Sequence, residues 1–77
     1  MTKAQQTATA TEKMESRIRN MAHAADMEQL DLYDYVIQSE IFLLFQLEII
    51  SKSERYRLDN MQIDAYIKRR EELEKAA

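Results

Sequence analysis

Glycine, proline and cysteine are all missing from this 77-residue chain. Glycine is the residue for backbone at positive φ, and proline punctuates turns. Their joint absence excludes hairpin-rich β structure, glycine-rich phosphate loops and strand–turn–helix catalytic elbows. Without cysteine there is no disulfide staple and no thiolate metal site. A third absence is local. From Asn20 to Ser51 there is no lysine or arginine, although Asp26, Glu28, Asp31, Asp34, Glu40 and Glu48 all fall there. No run reaches the roughly 20 apolar residues of a membrane-spanning helix. The best stretch, Val36 to Ile50, is interrupted by Gln38, Glu40, Gln46 and Glu48. Met1–Gln6 lacks the apolar core of a secretory signal. These features predict a soluble protein of a reducing compartment, the cytoplasm.

What is present is a helix former's alphabet of Ala, Leu, Met, Glu, Gln, Lys and Arg. The fold class expected is all-α: a small helical domain with an antiparallel pair of long helices and a shorter N-terminal helix. Residues 1–10 are small and polar, and are expected to form a mobile tail ahead of a single domain spanning 11–77. The first helix is expected to start near Thr9 or Thr11, since Thr9 and Glu12 fit a capping box. Met14, Ile18, Met21, Ala22 and Ala25 then share one face. Asp26 and Gln29 offer a second cap, so the first helix is expected to end at Ala24 or Ala25. With no glycine or proline there, the same residues also permit it to run on. A second helix is expected over 27–50, and a third over 53–75, opened by Ser51 and Glu54.

The second helix is the most apolar segment. Leu32, Tyr33, Val36, Ile37, Ile41, Leu43, Leu44, Leu47 and Ile50 make a broad face, while Tyr35, Phe42 and Ile49 form a further stripe on the opposite side. Two neighbours from so short a chain scarcely cover both. The Tyr35–Phe42–Ile49 stripe, with Tyr56, Ile63 and Ile67 on the third helix, is therefore the expected partner or oligomer interface, weighed against ordinary core contact. Glu40 sits within the broad face. It reads either as a buried polar pin paired with Arg17, Arg55 or a partner's cation, or as a side chain reaching solvent at a helix crossing.

The remaining motifs have mundane readings. Lys68-Arg69-Arg70 is followed at once by Glu71, Glu72 and Glu74, which neutralise it as a phosphate-binding patch. His23 lacks further ligands in metal-site spacing and reads as a surface histidine at a helix end. Asp26, Asp31 and Asp34 form either an acidic docking site for a basic partner or a complement to the helix dipole. No serine has a histidine at helical spacing to activate it, and so short a chain encloses little volume. Catalysis, a cofactor and a metal are not expected. The function expected is a non-enzymatic protein–protein interaction module, a chaperone-like adaptor, regulator or inhibitor. Its partner would be another protein, itself, or both. The alternatives are a nucleic-acid-associated regulator using Arg55, Arg57, Lys68, Arg69 and Arg70, and an acidic blocker of a basic site.

Overall fold

The computed structural model describes residues 1–77 and contains three helices and no strand: α1 (Lys3–Met21), α2 (Met27–Gln46) and α3 (Lys52–Ala76). Each helix begins where a side chain satisfies backbone N–H groups that have no partner within the helix. Thr2 and Gln5 form a reciprocal capping box at α1, with bonds of 3.1 and 2.8 Å. Asp26 accepts from the Gln29 backbone N–H at 2.8 Å to open α2. Ser51 and Glu54 form the capping box of α3.

Three boundaries differ from the sequence expectation. The predicted tail is helical from Lys3 onward, because Thr2–Gln5 is a second and earlier capping box and the tract behind it contains Ala4, Ala8 and Ala10. Thr7 further ties this segment down by donating its hydroxyl to the Ile49 carbonyl at 2.6 Å. The second helix stops at Gln46 rather than Ile50. There Glu48 takes φ 59°, its N–H bonding Phe45 O and the Ile49 N–H bonding Leu44 O. This is a Schellman ending with glutamate in the position that usually takes glycine. A break between α1 and α2 is present, as expected, but α1 ends at Met21 and is capped at Ala22, short of the expected Ala24 or Ala25.

The helices run up, down and up. Thr7 meets Ile49 and Arg17 meets Glu40, so α1 and α2 are antiparallel. Asp31 meets Tyr66 and Asp34 meets Gln62, so α2 and α3 are antiparallel. The molecule measures 46 × 19 × 15 Å between Cα extremes. So slim a bundle holds one row of core side chains along its axis, and each helix buries only a narrow stripe. The fully enclosed set is Met14, Ile18 and Met21 from α1, Leu30, Ile37 and Ile41 from α2, and Leu58 from α3, closed by Ala24 and Ile50 from the connections. Ala24 rather than Ala25 faces inward, since the chain has already left the helix there.

Candidate interaction surfaces

The narrow core leaves α2 incompletely covered. Successive residues advance by about 100°, and α1 and α3 together shelter the arc holding Leu30, Ile37 and Ile41. Apolar residues outside that arc remain in solvent, on two separate faces.

The first face lies between α2 and α3. Phe42 and Ile63 stand on either side of a groove whose remaining lining is Gln38, Ser39, Arg55, Asp59 and Gln62. Phe42 is 46% exposed and Ile63 53%. Tyr35, 70% exposed, continues the α2 side at i−7, and Tyr56 and Ile67 continue the α3 side at i−7 and i+4. The guanidinium carbon of Arg55 lies 5.2 Å from the Phe42 ring centre and 4.8 Å from that of Phe45, and its Nε is 3.5 Å from Asp59. Stacked on two rings and held by a carboxylate, this cation is fixed at the groove wall. Lys52 lies over Tyr56 at 5.7 Å and Arg70 over Tyr66 at 5.8 Å, while Asp59 and Glu74 balance Arg55 and Arg70 along this edge.

Five of the six residues predicted for an interface thus lie exposed here. The sixth, Ile49, is partly buried against the core and has left the stripe, because α2 ends before it.

Helical periodicity places the residues of the second face on the broad apolar side of α2, where burial is expected. Leu32, Tyr33, Val36, Leu43 and Leu47 are instead exposed, Leu32 by 60% and Leu47 by 59%. Leu32, Tyr33, Val36 and Leu43 border α1, next to Lys13, Arg17 and Asn20. A periodicity argument places them on an apolar face, but only the positions of the two neighbours tell which part of that face is covered.

Glu40 pairs with Arg17 at the edge of this second face, with 29% of its side chain still open to solvent. The buried polar residue of the molecule is Gln62, 3% exposed. Its amide donates to both the carbonyl oxygen and the carboxylate of Asp34, at 3.0 and 2.8 Å. Its signal was available in the sequence, since Gln62 falls one turn after Leu58 on the stripe shared with Met61 and Ala65.

The three predicted docking acids have internal work. Asp26 caps α2, Asp34 receives Gln62, and Asp31 accepts the Tyr66 phenol at 2.6 Å. That bond holds the Tyr66 hydroxyl above its ordinary pKa, because the carboxylate favours the protonated phenol. Most of the basic residues singled out for phosphate contact are also engaged. Arg57 bonds Glu15 at 2.7 Å, Arg69 donates to the Ala24 carbonyl at 2.9 Å, and Arg70 lies 3.7 Å from Glu74. His23 is exposed on the α1–α2 connection. No three or more histidine and acidic side chains converge in a metal-binding group. No helix is long and apolar enough to cross a membrane.

Comparison with protein-family models, curated proteins and solved structures returns no match.

Proposed function

We propose that this chain is a non-enzymatic protein–protein interaction module of the cytoplasm, a chaperone-like adaptor or regulator, that seats a partner's amphipathic helix in the groove between α2 and α3. The observation that carries this reading is the pairing of Phe42 with Ile63 across one groove, both half in solvent and prolonged by Tyr35, Tyr56 and Ile67. Exposed aromatic and aliphatic side chains around a few fixed polar groups are what helix-in-groove recognition uses. Lys52, over Tyr56 at one end of the α3 edge, favours a helix with an acidic side chain at that end. Gln38, exposed on the α2 wall, supplies a hydrogen-bonding group for the polar side of the groove.

The test places a photo-reactive phenylalanine analogue at Ile63 and, as a control, at Lys68, which is exposed and lies about 140° round α3 from Ile63. The expected result is a cross-link from position 63 to a helical segment of a protein that, once purified, binds the unmodified chain. Its affinity should fall by roughly 30-fold or more for Phe42→Asp, the mark of an interface hot spot. A cross-linked protein that binds Phe42→Asp and Ile63→Asp as tightly as the parent would overturn the reading.

A further inference from the structure

The second exposed face of α2 has a symmetry the groove lacks. Leu32, Val36, Leu43 and Leu47 succeed one another at spacings of four, seven and four residues, an order that reads identically from either end. At about 100° per residue they stay within a roughly 60° arc, so the stripe runs nearly straight along the helix for about 22 Å. Leu47, the residue that caps α2, completes it.

Two hollows lie beside the stripe in the trough between α1 and α2. One is lined by Arg17, Asn20, Leu32, Tyr33, Val36 and Ile37. The other is lined by Ala10, Lys13, Met14, Glu40, Leu43 and Leu44. The Arg17–Glu40 ion pair stands between them, at the midpoint of the stripe.

We infer that this face is a homodimer seam, occupied by a second copy of the chain whose α2 lies antiparallel along the trough. A two-fold axis passing between Ser39 and Glu40 sets Leu32 against Leu47 of the second copy and Val36 against Leu43 of the second copy. Both sets of contacts occur twice, as an isologous interface requires. The side chains Leu43 and Leu47 of one molecule then fill the hollow beside Leu32 and Val36 of the other, and the reverse.

Charge agrees with this occupant. At the axis the two Glu40 carboxylates approach on the same side, and each brings its own Arg17, so the four groups close into an alternating ring. Ser39, on the other side of the axis, is small enough for the helices to approach closely and already spends its hydroxyl on the Tyr35 carbonyl. Area agrees as well. The five exposed apolar side chains leave roughly 500 Å² open on each molecule, and the polar flanks bring the seam toward the roughly 800 Å² per partner of a standard interface. The inference goes beyond the groove reading and uses a different face of α2, so each stands or falls alone.

The test is sedimentation equilibrium of the full chain over a wide concentration range, with circular dichroism of each variant. A single monomer–dimer equilibrium is expected. Leu43→Asp, at a side chain 53% exposed, should keep its helicity and raise the dissociation constant by roughly 30-fold or more. Phe42→Asp, in the groove, should leave the dimer intact. Because the chain has no cysteine, Ser39→Cys supplies a single thiol beside the axis and should oxidise to a covalent dimer, whereas Asn60→Cys on α3 should not. A chain monomeric at every concentration would overturn the inference. So would association that runs past the dimer, or a dimer dissolved by Phe42→Asp and indifferent to Leu43→Asp.

Discussion

Single residues in this molecule carry duties that composition would have given to others. Glu48 is the clearest. In a chain with no glycine, the left-handed residue that ends α2 has a Cβ, and that conformation costs an L-residue about 1–2 kcal/mol. Glu48→Gly is therefore expected to stabilise the fold by about 1 kcal/mol in urea unfolding, after allowing for glycine's greater loss of backbone entropy. Tyr66 offers a test by pH. Its phenol donates to Asp31, and its pKa is raised above the ordinary 10.0 chiefly by that hydrogen bond. Between the unfolded value and the raised folded one, the native state holds a proton that the unfolded chain has released. The stabilisation is thus complete below about pH 10 and is lost as pH climbs through the folded value. Unfolding midpoints measured from neutral to alkaline pH should fall along this limb, and Tyr66→Phe should fall less steeply. Gln62 shows what the residue scale conceals from a sequence. A glutamine on an apolar stripe looks like a defect until the Asp34 carbonyl and carboxylate are seen to meet it.

At the scale of elements, the starts of α2 and α3 were legible and the other helix boundaries were less so. Asp26–Gln29 and Ser51–Glu54 mark the starts of α2 and α3, because a cap is a local motif whose partners lie three residues apart. The same logic misplaces the start of α1, where Thr2–Gln5 and Thr9–Glu12 both fit the pattern and local sequence does not rank them. What favours the longer helix in the fold is a contact across 42 residues, Thr7 to the Ile49 carbonyl, and such a partner is invisible in a local window. Thr7→Val keeps the shape of the side chain and removes that bond. It is expected to cost about 1 kcal/mol and to speed amide hydrogen exchange over residues 3–10 while leaving α3 unchanged.

For the molecule as a whole, the governing quantity is the ratio of core to surface. One row of side chains between three helices gives a core of nine residues, while α2 alone exposes apolar groups on two faces. A domain of this size has only a few kcal/mol in hand. Ile41 is fully enclosed, and Ile41→Ala is expected to remove about 3 kcal/mol, most of that margin, by transfer loss and the cavity left behind. With the proposed seam occupied by a second copy that binds only the folded state, thermal unfolding of this variant is expected to respond strongly to protein concentration, its midpoint rising as dilution is reversed. A midpoint independent of concentration would mark the monomer as self-sufficient.

Composition and spacing alone determined that this chain is helical, where α2 and α3 begin, and that α2 is too apolar for two neighbours to cover. All of these follow from local propensity, from caps closed within one turn, and from side-chain periodicity. Tertiary structure decided which arc of α2 is covered. Leu32, Val36, Leu43 and Leu47 are chemically equal to Leu30, Ile37 and Ile41, and only the crossing positions of α1 and α3 separate the exposed set from the buried one. It also decided that Phe42 and Ile63, 21 residues apart in sequence, face one groove, and that Glu40 finds Arg17. Periodicity specifies a face of a helix, whereas burial depends on the neighbour that lies against it.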